Sequence, residues 1–184
     1  MVPSRNGRVR RTVPRCRLTQ INLHRCQSAA LAMAARVTAP AGTIVTHSKP
    51  HSEIFLIQEP YCAYNAIRGL PRGQLFAHSG NQCRPRACIW SSPNCTVRPL
   101  PQFTDPDLTA VITEWKDTKV VFASVYMAYD SAEHPSRRFE ALVDHCKNQK
   151  LALIAGADAN SHHTFWGSSD INLRGEKLME FIIN

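Results

Sequence analysis

Hydrophobic and polar positions along the chain sort into short apolar runs and amphipathic stretches. Arg17 to Leu23 and Glu53 to Gln58 predict strands, the second closed by Pro60. Between them, Ala-rich Gln27 to Arg36 predicts a helix that ends before Pro40. Gly, Pro and Asn punctuate Tyr61 to Gln82, which predicts loops. Arg86 to Ser91 and Thr96 to Leu100 predict short strands. Thr109 to Trp115 and Lys119 to Tyr126 predict two more, joined by a turn at Lys116, Asp117 and Thr118. From Pro135 to Asn148, the apolar residues Phe139, Leu142, Val143 and Cys146 recur at helical spacing. Leu151 to Ala155 predicts a strand, and Gly175 to Ile183 a helix with Leu178, Phe181 and Ile182 on one face. This order predicts a mixed α/β or α+β domain.

Composition narrows the class. The 184 residues suit one domain, and 43% hydrophobic content is enough for a core. The net charge of +8 is uneven: the first 52 residues hold nine of the 22 basic residues and none of the 14 acids. The front end is therefore a cation on a nearly neutral body. Residues 1–17 read as a basic, disordered leader and 18–184 as the domain. A basic arm suits sequence-independent phosphate contacts, although a solvated tail is the plainer explanation. Seven cysteines, an odd number without a CxxC pair or a secretory segment, read as reduced thiols of an intracellular protein. No apolar run is long enough to span a bilayer, so no membrane partner is expected.

Candidate chemistry clusters in LIAGADANSHHTFWGSSDINLRGE, Leu151 to Glu176. An apolar strand there delivers a carboxylate and an amide to a polar loop. Residues i and i+2 of an extended strand share a face, so Asp158 and Asn160 would point the same way. A turn is the alternative role for both. Glu59 stands where FLIQ meets Pro60; alone, it would be a surface carboxylate. Asn22, inside the apolar strand QINL, needs partners if buried; it suits a functional contact and a backbone bond equally. Tyr126 ends FASVYM, where a tyrosine is ordinarily core with its hydroxyl at the rim. Arg86 could grip a phosphate bidentately or serve structure. His162 and His163 lack a closing Cys or His pattern and make a weak zinc site; they suit loop shaping or DNA contact.

Taken in order, QINLHR, FLIQEPY, RACIW, ASVYMAY and DANSHHTFWGSSDINLRGE resemble the endonuclease domain of non-LTR (LINE-type) retrotransposons. That domain belongs to the endonuclease/exonuclease/phosphatase superfamily. The resemblance runs from about Leu18 to the end of the chain. It implies a four-layer sandwich of two mixed β-sheets flanked by helices. It implies magnesium-dependent phosphodiester hydrolysis (manganese as the alternative ion), nicking DNA for retrotransposition in the nucleus. Glu59, with Asn22 beside it, would hold the metal; magnesium needs only one or two carboxylates. Asp158 would handle a proton or position the water, Asn160 would hold the water and a phosphate oxygen, and Tyr126 would reach the scissile phosphate. Arg86, His162 and His163 would contact DNA phosphates. Trp166 and Asn172 take packing and turn roles in the family-like loop.

The resemblance departs in one respect. The family's site includes a later Asp and a terminal His, on strands beyond the helix that begins here at Gly175. After Asp158 this sequence offers Asp170, His162 and His163 in another setting. The expectation is a domain lacking its C-terminal strands, a fragment of an element with a reverse transcriptase downstream, and impaired catalysis. Two other readings stand beside it: a catalytically dead remnant that binds nucleic acid, and another phosphoesterase of the same superfamily.

Overall fold

The protein is described by a computed structural model covering residues 16–38, 52–80, 84–115 and 118–184. Most of the expected leader, residues 1–15, and the expected turn residues Lys116 and Asp117 lie outside the described residues. Strand β1 (Cys16–Asn22) begins one residue before the expected start at Arg17.

β1 pairs in parallel with β2 (Ser52–Gln58), Asn22 opposite Gln58, and helix α1 (Gln27–Thr38) makes the crossover. β2 is buried along its apolar run because it lies between β1 and the antiparallel β6 (Ala87–Ser91). The stretch expected to be loop contains a small hairpin, β3 (Cys62–Ala63) with β4 (Ala66–Ile67), and β5 (Gln74–Ala77), which pairs with β6. The first sheet thus has the order β1-β2-β6-β5.

The second sheet repeats the plan. β7 (Val97–Pro99), β8 (Leu108–Trp115) and β9 (Thr118–Tyr126) are antiparallel neighbours. Helix α2 (Arg137–Gln149) then crosses to β10 (Ala152–Asp158), which pairs in parallel with β9. β10 runs to Asp158, three residues past the expected end. α2 is N-capped by Ser136, which accepts the Phe139 N–H, and ends at Lys150 in the left-handed region. Helix α3 (Leu173–Ile183) closes the described chain.

Alternation along the strands assigns each face to a layer. Phe55 and Ile57 pack with Leu23, Ala30, Met33 and Trp90 beneath α1. Ile54 and Leu56 face the other way, onto Val111 and Phe122 of the second sheet. Ala110, Val121, Ala123 and Val125 pack outward under Phe139, Leu142 and Cys146 of α2 and Leu178 of α3. The layers are helix, sheet, sheet, helices, as the sequence led us to expect. Each apolar face meets an apolar face, and such burial contributes about 25 cal/mol per Å².

At the seam between the sheets the packing turns polar. Gln58, fully buried, donates from Nε2 to the Ser124 hydroxyl and the Gly156 carbonyl, each at 2.9 Å. Its Oε1 accepts from Gln20 Nε2 at 2.7 Å. The Ser124 hydroxyl donates onward to the Ile57 carbonyl at 2.9 Å. Gly156 leaves room for this packing: a Cβ would stand 2.8 Å from Gln20 Cγ and 2.9 Å from Leu56 Cδ1, and both side chains would have to shift. Among the described residues, no helix is long and apolar enough to cross a membrane.

Candidate active site at the end of the inter-sheet seam

Four strands, β1, β2, β9 and β10, finish side by side at one end of the seam. Asn22 is opposite Gln58 in one sheet and Asp158 opposite Tyr126 in the other. Gln20, Gln58, Ser124 and Gly156 meet between the sheets, so one alternation further along, Asn22, Tyr126 and Asp158 reach the rim of the same seam. Asn22 closes it: Nδ2 donates to Asp158 Oδ2 at 2.5 Å. Its Oδ1 accepts the His24 N–H at 2.7 Å. The buried-Asn question raised by QINL is thereby answered; the amide is held at both ends, one of them by a carboxylate from the opposite sheet.

Glu59 follows β2 in the left-handed region, φ 47°, which a Glu adopts at a cost. Its N–H donates to the Arg86 carbonyl and its own carbonyl accepts the Arg25 N–H, each at 2.8 Å. These bonds hold the turn. The largely buried carboxylate lies 3.4 Å from Arg25 Nη2 and 3.7 Å from His24 Nδ1. Tyr126 senses both acids of the site. Burial, then the charges of Glu59 and Asp158, push its phenol above the usual value, and Arg86 and Arg25 oppose them. The hydroxyl therefore stays a proton donor through neutral pH.

Asn160 does not share a strand face with Asp158. The strand stops at Asp158, and Asn160 turns left-handed, φ 47°. The extended geometry assumed for an i, i+2 pair is absent. The two meet differently: the Asn160 N–H approaches Asp158 Oδ1 at 3.4 Å, and Asn160 Nδ2 donates to the Met127 carbonyl at 3.1 Å. Asn tolerates this backbone better than most residues, which suits it to the corner.

Arg86 is engaged within the protein. Nε and Nη2 fork onto Asp107 at 2.5 and 2.6 Å, and Cζ lies 5.1 Å from the centre of the Tyr126 ring. The guanidinium is thus oriented beside the site rather than left to swing. His162 pairs through Nδ1 with Asp170 at 2.9 Å on the exposed loop. His163 caps the 3-10 turn Thr164–Trp166 by accepting the Phe165 N–H, and its ring lies 5.0 Å from that of Trp166. Asn172 caps α3 by accepting the Gly175 N–H, as its expected turn role implied.

One residue escaped the sequence reading. Arg174 donates to five backbone carbonyls: Asn160 at 3.1 Å, Met127 at 3.2 Å, Ala128 at 2.9 Å, and Tyr129 and Ser131 each at 3.2 Å. It ties the loop after Tyr126 to the loop after Asp158. Its partners are carbonyls, which every residue type has, so no side-chain pattern signals the contact.

Oxygen donors suit a hard divalent cation. Glu59 supplies a carboxylate at the seam, and Asn22 Oδ1, with one lone pair used by His24, has a second. Among the described residues no group of three or more His, Cys, Asp or Glu side chains is placed to hold a metal ion. One carboxylate plus an amide oxygen, completed by water, fits magnesium.

Residues 120–184 match a family model described as "Endonuclease-reverse transcriptase". Among solved structures, the chain superposes on the endonuclease domain of TRAS1, a telomere-specific non-LTR retrotransposon, with a TM-score of 0.63 and 24% identity. The match covers 89% of this chain and 67% of that one. This is the fold of a retrotransposon endonuclease domain. The matched segment carries most of β9, with α2, β10 and α3, and so includes Tyr126, Asp158, Asn160 and Arg174 of the candidate site. No curated protein matches the chain.

Proposed function

We propose that this chain is a divalent-metal-dependent DNA endonuclease domain that nicks target DNA for retrotransposition. One observation carries the reading. Two strand-end acids, Glu59 and Asp158, come from opposite sheets to one rim, where Asn22 bonds Asp158 and Tyr126 feels both charges.

Phosphodiester hydrolysis needs charge neutralisation at the phosphate, a base for the attacking water, and fixed donors for the phosphate oxygens. Glu59 and Asn22 would hold magnesium, with manganese as a substitute; the ion supplies Lewis-acid neutralisation of the phosphate. Asp158 takes the proton of the attacking water, its carboxylate aimed by the Asn22 amide. Tyr126 donates its retained proton to a phosphate oxygen. Asn160, at the corner beside Asp158, contacts the same water and a phosphate oxygen. Arg86 stabilises the strand through its charge beside Tyr126, and His162 and His163 meet the DNA from the exposed loop. The domain would act beside a reverse transcriptase, a pairing that the family description supports, and in the nucleus, where target DNA lies.

The test is nicking of supercoiled plasmid by the purified chain, magnesium against EDTA, with Glu59→Ala and Asp158→Ala. Magnesium-dependent nicking by the parent is expected, reduced about 10²–10⁴-fold in Asp158→Ala and abolished in Glu59→Ala. A folded parent that binds DNA but never nicks would overturn the reading in favour of a nucleic-acid-binding remnant.

A further inference from the structure

A cavity of about 510 Å³ opens beside Glu59. Arg25, Arg84 and Arg86 line it, with Pro60, Tyr61 and Asp107. It shares two walls with the candidate site. Arg25 also pairs with Glu59, and Arg86 also stacks on the Tyr126 ring. The charges do not cancel. Arg25 is offset by Glu59 at 3.4 Å and Arg86 by Asp107 at 2.5 Å. Arg84 is exposed and forms no ion pair among the described residues. A spare guanidinium over proline and tyrosine walls offers an anion contact next to apolar surface.

We propose that this cavity binds the sugar-phosphate backbone of the DNA strand one step away from the scissile phosphate. Arg84 contacts the flanking phosphate, and the sugar lies against the Pro60–Tyr61 wall. The proposal rests on the endonuclease reading above. Arg84 is the guanidinium that neither Glu59 nor Asp107 offsets, and the cavity adjoins the site proposed to hold the scissile phosphate, so the neighbouring backbone phosphate is the anion presented to it. Phosphate contacts of this kind position a duplex without reading its sequence, so binding here is indifferent to sequence.

The experiment is fluorescence anisotropy of a labelled short duplex against KCl concentration, in EDTA so that no cleavage intervenes. It compares the parent with Arg84→Gln and with Arg98→Gln, an exposed arginine on β7 at the far edge of the second sheet. Each phosphate contact contributes a slope of about 0.9 in log K against log salt. Arg84→Gln is expected to lower the slope by about that amount on duplexes of any sequence, and Arg98→Gln to leave it unchanged. Equal slopes for all three proteins, equal losses in both variants, or a parent that does not bind would each overturn the proposal. Plasmid nicking with magnesium, run in parallel, separates the two readings. A parent that binds with an Arg84-dependent slope but never nicks sinks only the endonuclease assignment. A parent that nicks with an Arg84-independent slope sinks only the cavity.

Discussion

At the residue scale, the chemistry of the rim depends on groups held in fixed protonation states. His134 shows how. It is buried, its Nε2 pairs with the Ser161 hydroxyl at 2.7 Å, and its Nδ1 has no hydrogen-bond partner. Burial, with Arg174 and Lys177 of α3 nearby, lowers its pKa to about 4 from 6.5. The unfolded chain therefore binds a proton that the native chain refuses between these values. Stability from this group is complete above about pH 6.5 and is lost as pH falls toward 4. Urea midpoints should decline across that window, and His134→Gln should flatten the decline; an equal slope in both proteins would refute the assignment. None of this was legible in the sequence, where His134 is one polar residue before a proline. Asp158 was legible because it ends an apolar strand. Asn160 escapes the strand period, because the chain turns left-handed after Asp158 instead of continuing extended.

At the scale of elements, long apolar runs announced themselves and short strands did not. β2 and β9 are read easily because burial on both faces leaves long apolar runs, with Gln58 and Ser124 as buried polar exceptions. β3, β4 and β5 have two, two and four residues among Gly, Pro and Asn, too few for a period to register. The join between α3 and the strand-end loops was equally silent. Gly175 sits so close to the loop that a Cβ would stand 1.8 Å from the His162 carbonyl oxygen. The next residue back, Arg174, fills the remaining gap with its guanidinium. Lys has a point charge and cannot reach five carbonyls in that geometry. Arg174→Lys should therefore cost about 1–3 kcal/mol in stability, the penalty of leaving such acceptors unmade. Arg174 acts on the site only by holding the Met127 and Asn160 backbones. The signature is kcat for nicking falling with KM nearly unchanged, in a variant that is still folded at the assay temperature. A rise in KM alone would instead mean that Arg174 meets the DNA.

For the whole molecule, the decisive contacts join residues far apart in sequence. Asn22 and Asp158 come from different sheets, and no local pattern links them; the order of motifs implied the sandwich, but the hydrogen bond across it could not be read from spacing. The same is true of the Gln58 clasp. Gln58 follows the apolar run of β2 and satisfies Gln20, Ser124 and Gly156 together. Gln58→Leu supplies an apolar side chain of similar size but strands the Gln20 amide and the Gly156 carbonyl in the buried seam. Leaving buried polar groups unpaired costs about 1–3 kcal/mol, and a chain of this size loses roughly 2–4 °C in Tm per kcal/mol. Calorimetry should therefore find a lower Tm for Gln58→Leu. The double variant Gln20→Met with Gln58→Leu removes one of the stranded groups and should recover part of the loss. If the single variant is as stable as the parent, the clasp adds nothing to sheet docking. If instead the double recovers stability but nicking stays low, the clasp serves alignment more than stability. Asn22 and Asp158 meet across the seam one alternation beyond it, so a small slip of one sheet on the other separates them first.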